Sequence, residues 1–317
     1  MAETIQLHAQ VPEDLRGARL DQVAAQLFPD YSRARLQLWI KEGVLTVDGE
    51  VKKTRDKLIG GEQLALAVEV ENEERWEAEP IALDIIYEDD AVLVINKPAG
   101  LVVHPGAGNG SGTLLNAILY HYPDSASVPR AGIVHRLDKD TSGLMVVAKT
   151  LAAQNHLVNQ LQERTVHREY EAVCMGRMTG GGTVDAPLAR HPKQRKKMAV
   201  STIAGKEAIT HYRVIKRYVH HTHVRCMLET GRTHQIRVHM GHIKYPLVGD
   251  PMYAGRPRIP KGASTELIAT LRGFGRQALH ARRLELMHPD SNELVSWEVD
   301  LPADMQHLLS VLSEHDS

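Results

Sequence analysis

The sequence predicts a two-domain α+β protein, with a small first domain of two helices and a hairpin and a larger second domain. Its 317 residues are enough for about two domains, and its apolar and charged fractions are those of an ordinary globular protein. Residues 71–90 hold nine acidic residues and one basic residue, and residues 71–80 contain almost no apolar side chain. We interpret residues 71–80 as a solvated linker, which divides the chain into domains 1–75 and 76–317.

The first domain shows two helical patterns followed by a hairpin signal. Residues 19–28 place apolar side chains at helical spacing, and residues 31–42 predict a second helix that ends at Gly43. Residues 44–47 and 50–53 flank Asp48-Gly49, a pair typical of a tight hairpin turn.

Basic residues are spread over this small domain, and they could follow a phosphate backbone or simply be a solvated surface. The order of the elements favours the first alternative. Over residues 17–70 it resembles the small RNA-binding domain found in a ribosomal small-subunit protein, in tyrosyl-tRNA synthetases and in several RNA-modifying enzymes. The resemblance implies RNA contacts by the following residues: Arg33, Arg35, Lys52 and Lys53.

The second domain contains the most informative segment, His-Arg-Leu-Asp-Lys-Asp-Thr-Ser-Gly at residues 135–143. Apolar runs at 131–134 and 144–148 predict a short buried strand on each side of it. Charged groups held between two rigid strands are typical of a catalytic site. Asp138 is the first candidate for the reactive carboxylate; the alternative is a turn carboxylate that accepts hydrogen bonds from backbone amides.

A second segment, near residue 230, predicts a strand, a turn and a helix. Residues 224–228 alternate as in a strand, Gly231 turns the chain, and Thr233 is expected to cap a helix that buries Ile236. Arg237 lies next to the apolar face of this helix. Because an unpaired buried guanidinium is unfavourable, we expect an anionic partner for Arg237.

Two further segments complete the pattern: Tyr170 on a strand face shared with Ala172, and a strand end at residues 96–97 that runs into a Pro/Gly-rich loop. Together the segments resemble the pseudouridine synthases that act on ribosomal RNA, from about Ile81 to the C-terminus. The motif Arg-Leu-Asp-x-x-Thr-Ser-Gly, residues 136–143, is the most specific part of the resemblance. The resemblance implies a mixed, mostly antiparallel sheet and isomerisation of uridine to pseudouridine in 23S large-subunit ribosomal RNA.

The resemblance also implies a role for each matching residue. Asp138 matches the essential catalytic aspartate, Arg237 the arginine that pairs with it, and Tyr170 the tyrosine that stacks on the target base. Arg136 matches the side chain that fills the gap left by the flipped nucleotide. Nothing in these residues distinguishes attack of Asp138 on carbon from proton abstraction. An isomerisation needs no cofactor and no metal, and we expect neither.

Two basic loops in the second domain predict further RNA contacts, through Arg195 and Lys196 in one loop and Arg256 and Arg258 in the other. A metal-dependent phosphodiesterase is an alternative function, because histidines are frequent between residues 220 and 242. The spacing of His234, His239 and His242 does not place all three on one helix face, which disfavours a zinc site. The other alternative function is a non-catalytic rRNA-binding factor for ribosome assembly.

The remaining composition places the protein inside the cell. The only two cysteines, Cys174 and Cys226, lie in apolar runs and are expected to be free thiols of a reducing compartment. The N-terminus lacks the pattern of a signal peptide, and no apolar run is long enough to cross a bilayer. We therefore expect a cytoplasmic monomer whose partner is large-subunit ribosomal RNA, either free or within pre-ribosomal particles.

Overall fold

The computed structural model describes residues 3–29, 31, 33–70, 76–106 and 109–316. The chain divides into two compact units, and the division falls between Arg75 and Trp76. Residues 71–75, the first half of the expected linker, lie outside the described residues. The second half is not a solvated linker. Trp76 packs on the core of the second unit, and Glu79 N–H donates to the Asn116 carbonyl.

The first unit is a three-stranded antiparallel sheet covered by two helices. Its elements in chain order are β1 (Glu3–Gln10), α1 (Leu20–Leu27), α2 (Arg33–Glu42), β2 (Leu45–Val47) and β3 (Gln63–Val70), with strand order β1-β3-β2. Both predicted helices are confirmed. The apolar positions of both helices pack with the sheet around fully buried Leu20, Leu36, Leu64 and Leu66.

The predicted hairpin is only partly present. Asp48 and Gly49 form the expected turn, with φ of 51° and 80°, but residues 50–53 form no strand beyond one bridge between Glu50 and Val47. This second arm offers no apolar face, since Val51 is 63% exposed. The partner of β2 is therefore β3, which buries two leucines.

The second unit is built on a nine-stranded sheet. Its elements are β4 (Ile85–Glu88), β5 (Val92–Lys97), α3 (Leu114–His121), β6 (Ser142–Ala148), α4 (Leu151–Glu163), β7 (His167–Met175), β8 (Gly182–Asp185), β9 (Leu188–Arg190), β10 (Met198–Val200), β11 (Ile209–Arg217), β12 (His221–Leu228), α5 (Gln235–His242), α6 (Thr265–Gly273), β13 (Leu279–Met287), β14 (Leu294–Glu298) and α7 (Ala303–His315). The sheet order is β4-β5-β6-β13-β7-β12-β11-β8, with β14 on β13, and β9 pairs with β10 separately. Only β6 and β13 run parallel, so the expected mixed, mostly antiparallel sheet is confirmed.

Strand β6 lies in the middle of the second unit, and every one of its residues is buried. Met145 and Val147 join the core that contains α3, whereas Leu144 and Val146 join the core that contains α4. Because both faces of the strand are covered, its sequence is a continuous apolar run without alternation.

The predicted strand at residues 131–134 is wrong. Residues 129–132 form a short 3₁₀ turn in which Arg130, Ala131 and Gly132 have φ of 55°, 50° and 77°. Gly132 packs directly on β6, because a Cβ added there would lie 1.8 Å from the Ala148 carbonyl oxygen. Only Ile133 pairs with β6, through one bridge to Val147. Among the helices of the described residues, none is both long and apolar enough to cross a membrane.

Candidate active site

Asp138 lies in the turn that leads into β6. The Thr141 N–H donates to the Asp138 carbonyl at 3.0 Å, which closes the turn just before the buried strand. Leu137 is buried and anchors the segment, while Arg136 is exposed. The Asp138 side chain is 17% exposed, so its carboxylate stands at the border between protein and solvent.

Arg237 of α5 connects Asp138 to a second carboxylate. Its Nη1 donates to Asp138 Oδ2 at 2.8 Å, and its Nε and Nη2 donate to the two oxygens of Asp250 at 2.7 and 3.0 Å. Burial alone would lower the pKa of Arg237, but the hydrogen bonds and charge of Asp250, together with Asp138, raise it above its usual value. The guanidinium is thus permanently charged and fixed in orientation.

Asp250 is one of the residues of this site that the sequence analysis did not predict. Its side chain is fully buried, and Oδ1 also accepts the backbone N–H groups of Met252 and Tyr253 at 2.9 and 3.0 Å. The only local signal is the dipeptide Asp250-Pro251, which favours a turn. That signal reveals the turn and gives no indication of the arginine.

His234 and Tyr253 border the same carboxylates. His234 Nε2 lies 3.8 Å from Asp138 Oδ1, and the Tyr253 hydroxyl bonds to His234 Nδ1 at 2.7 Å while accepting the Met198 N–H. Burial lowers the pKa of His234 and so favours the neutral imidazole, although the charge of Asp138 acts in the opposite direction. With the hydroxyl donating to Nδ1, the ring proton is on Nε2, on the side of Asp138.

The start of α5 differs from the prediction. His234, with φ of 57°, precedes the helix in place of Thr233, and no side chain caps it. The turn is held by Gln235, whose Oε1 accepts the Thr230 hydroxyl and the Arg232 N–H at 2.7 and 3.0 Å. An inward glutamine therefore replaces the expected threonine cap. The predicted burial of Ile236 in this helix is confirmed.

Tyr170 of β7 is 6% exposed and packs in the core that also contains Leu137 and Ile236. Burial raises the pKa of its phenol, and the charge of Asp138 raises it further, whereas Arg168 lowers it. The phenol is therefore neutral, and Tyr170 shares its core with Leu137 and Ile236, the sequence neighbours of Asp138 and Arg237. The structure thus brings three residues that the sequence singled out, Asp138, Tyr170 and Arg237, to one place.

Lys97 fixes the backbone behind Asp138. Although only 1% exposed, its Nζ donates to the carbonyl oxygens of Pro98, Leu101 and Lys139 at 2.8–2.9 Å. Burial lowers the pKa of Lys97 to about 8, against the raising effect of Asp140 and Asp138. The ammonium thereby ties the loop after β5 to the turn that carries Asp138, a role that the sequence did not indicate.

The expected RNA-binding residues lie on several surfaces of the two units. In the second unit, Arg195 and Lys196 line a cavity of about 430 Å³ that also contains Pro251 and Met252, directly after Asp250. Arg256 and Arg258 are exposed in the loop that follows Tyr253.

In the first unit, Arg33 donates to the fully buried Asp21. The Arg35 guanidinium lies 5.3 Å from the Trp39 ring centroid. Lys52 pairs with the Glu50 carboxylate, and Lys53 is exposed.

Five of the histidines between residues 220 and 242 bond to neighbouring groups, whereas His242 is exposed. His239 is fully buried, and its two ring nitrogens lie 2.9 Å from the Thr210 hydroxyl and the Ala186 carbonyl. Within the described part of the chain, no three His, Cys, Asp or Glu side chains are grouped as metal ligands. Cys174 and Cys226 are buried free thiols, and burial raises the pKa of Cys226 to about 12.

Comparison with known proteins identifies the family that the chain resembles. The model of the family described as RNA pseudouridylate synthase matches residues 91–242. The chain is 62% identical over 314 residues to ribosomal large subunit pseudouridine synthase D of Pseudomonas aeruginosa, covering 99% of this chain and 98% of that protein. The enzyme of the same name from Escherichia coli K12 is 58% identical over 313 residues, covering 98% and 96%.

A solved structure is similar in fold to most of this chain. The human RNA pseudouridylate synthase domain containing 4 is 26% identical, with a TM-score of 0.56, and the match covers 72% of this chain and 92% of that one. The family match includes Asp138, Tyr170 and Arg237 but ends before Asp250.

Proposed function

This chain belongs to the RNA pseudouridylate synthase family, and we propose that it converts uridines of 23S large-subunit ribosomal RNA to pseudouridine. The reaction is an isomerisation in which the N1–C1′ bond breaks and a C5–C1′ bond forms. The proton on C5 leaves and N1 gains one, so no atom is added in total. One observation carries the proposal: a partly exposed carboxylate, Asp138, held by a buried arginine beside a buried tyrosine.

Asp138 supplies the reactive carboxylate. Arg237 Nη1 donates to Asp138 Oδ2 at 2.8 Å and fixes the orientation of the carboxylate, and Asp250 already balances the charge of Arg237. Asp138, Arg237 and Asp250 therefore carry a net charge of about −1 together. Of the two carboxylates, that of Asp138 is the one partly exposed to solvent. When the N1–C1′ bond breaks, its electron pair leaves with the base, and a fixed carboxylate stabilises the positive charge that develops at C1′ of the sugar.

Tyr170 and Arg136 support base flipping in this proposal. The target uridine must leave the stack to reach Asp138, and the detached ring must be held while it turns. Tyr170 offers an aromatic face for that ring. Arg136 is exposed two residues before Asp138, and its flat guanidinium suits the space that the base vacates.

In this proposal, basic residues of each unit contact the RNA. Arg195 and Lys196 border the cavity next to Asp250, and Arg256 and Arg258 extend the positive surface. In the first unit the contacts are made by Arg33, Arg35, Lys52 and Lys53. We propose a monomer, because one chain supplies every residue of the site, and a cytoplasmic one, because its substrate is ribosomal RNA.

Tritium release from large-subunit rRNA labelled with [5-³H]uridine tests the proposal directly. We expect release by the wild type in buffer with excess chelator, and none by Asp138→Asn. Asp140→Asn is a matched control, because Asp140 lies in the same turn and no ion pair joins it to Arg237. Activity of Asp138→Asn, or absence of release by the wild type from both free rRNA and subunit particles, would contradict the proposal and favour a non-catalytic rRNA-binding protein.

A further inference from the structure

Arg168 of β7 is a buried arginine that lacks a carboxylate. It is 8% exposed, and within the described residues no ion pair joins it to an acidic side chain. Its Nε has no acceptor, and the nearest one for Nη2 is the Glu229 carbonyl at 3.5 Å. Arg237, by contrast, has two carboxylates. An uncompensated buried guanidinium is strongly unfavourable, which points to an anion outside the chain.

Arg168 lies beside the site already described. Alternation along β7 places it on the same sheet face as Tyr170, two residues earlier. Its charge, together with burial, lowers the pKa of His135 to about 3. His135 Nε2 accepts the Val146 N–H, so the imidazole is neutral and does not change the net charge around Arg168.

Gly231 makes room for the guanidinium. A Cβ added at Gly231 would lie 2.7 Å from Arg168 Nη1. The φ of Gly231 is not in the left-handed region, so the backbone itself does not require glycine there. The close approach of Arg168 therefore explains the residue type in this turn, which leads directly to Arg237.

An open cavity of about 210 Å³ lies next to Arg168, at the start of β7 and the end of β12. The cavity is lined by His167, Arg168, Glu169, Met227, Leu228, Arg283 and Glu285. Its carboxylates are already paired, Glu169 with Arg225 at 3.5 Å and Glu285 with Arg283 at 2.6 Å. Strand pairing places Glu169, Met227 and Arg283 on the sheet face opposite to Arg168, so neither carboxylate compensates the Arg168 charge on the face that it shares with Tyr170.

We propose that Arg168 binds a phosphate group of the RNA strand that carries the target uridine. This inference rests on the proposed function. Residues two apart on a strand are about 6.6 Å apart, so a nucleotide whose base lies on Tyr170 brings its neighbouring phosphates near Arg168. A guanidinium matches two phosphate oxygens, and an anion compensates the buried charge, which a uracil carbonyl would not.

The salt dependence of RNA binding tests this proposal with the full chain and a large-subunit rRNA transcript. For Arg168→Met we expect the plot of log K for RNA association against log salt concentration to become shallower by about 0.7–0.9. This is the change that follows when the protein neutralises one phosphate fewer. Arg168→Lys should keep the slope. Arg282→Met is the matched control, because Arg282 of β13 is paired with Glu298 and Asp300 at 3.0 and 2.9 Å.

Thermal unfolding separates this role from a structural one. Arg168→Met removes an uncompensated charge, so its Tm should equal or exceed that of the wild type. Arg282→Met removes a partner of the largely buried Glu171 and should unfold at a lower temperature. Gly231→Ala is a second variant that displaces the guanidinium without removing it, and we expect the same decrease in slope as for Arg168→Met.

Three results would overturn the proposal: an unchanged slope for Arg168→Met with wild-type affinity, an unchanged slope with weaker binding, or an equal decrease for Arg282→Met. The second result would identify a neutral acceptor such as a uracil carbonyl. Tritium release by the wild type is independent of all three results. Its absence would refute the proposed function itself.

Discussion

Replacement of Arg237 by methionine tests the central arrangement of the site, because the arginine joins two carboxylates of different exposure. Asp138 is 17% exposed and regains water when the arginine is removed, whereas Asp250 is fully buried and does not. Breaking a buried ion pair from one side costs about 3–5 kcal/mol. The second unit spans 317 − 75 = 242 residues, and for such a size each kcal/mol shifts Tm by about 2–4 °C. We therefore expect Arg237→Met to lower Tm by roughly 6–20 °C.

A second substitution, at Asp250, should restore the stability of Arg237→Met without restoring its turnover. In Arg237→Met we expect turnover to fall by at least about 100-fold, since Asp138 loses its orientation. RNA affinity should change little, because the Arg237 side chain is 5% exposed. The double variant Arg237→Met/Asp250→Asn removes the orphaned charge, so it should recover most of the Tm and none of the turnover. Calorimetry or circular dichroism gives Tm, and tritium release well below Tm gives turnover.

Two results would refute this reasoning. If Arg237→Met had the Tm of the wild type, the ion pair between Arg237 and Asp250 would not contribute to stability as a buried pair does. Turnover restored in the double variant would mean that Arg237 serves only to neutralise Asp250 and does not act on Asp138.

Three other perturbations follow from the same structure. Lys97→Met frees three carbonyls and should lower stability by about 1–3 kcal/mol and reduce turnover. Burial lowers the pKa of Lys97 from 10.5 to about 8, so between pH 8 and 10.5 the unfolded chain binds a proton that the folded chain does not. The free energy of unfolding of the wild type should therefore rise relative to that of Lys97→Met over this pH range. A constant difference between the two would contradict this prediction. Tyr253→Phe keeps the ring under Arg237 but breaks the link from His234 to Met198, so kcat should fall several-fold at constant KM, and an unaltered kcat would contradict the link. Deletion of residues 1–75 should weaken RNA binding and reduce its salt slope by about 0.7–0.9 for each phosphate that this unit neutralises, and an unchanged slope would show that the unit does not touch RNA.

The sequence predicted the elements whose apolar pattern reports a buried face. Helices α1 and α2 and the buried strand β6 fall into this group, because 3.6-residue periodicity and a continuous apolar run depend only on nearby residues. The predictions failed where tertiary contacts override local preference. Residues 131–134 are apolar yet turn across the edge of β6, and residues 50–53 lack the buried face that a strand needs.

The sequence by itself determined the mixed α+β fold and the segments that hold Asp138, Tyr170 and Arg237. Only the tertiary structure decided which charged groups meet, since Asp138 and Arg237 are 99 residues apart and pair through packing of a turn on a helix. It also decided which polar side chains are buried. Lys97, Arg168 and Asp250 look like surface residues in the sequence, because a buried charge leaves no periodic signal.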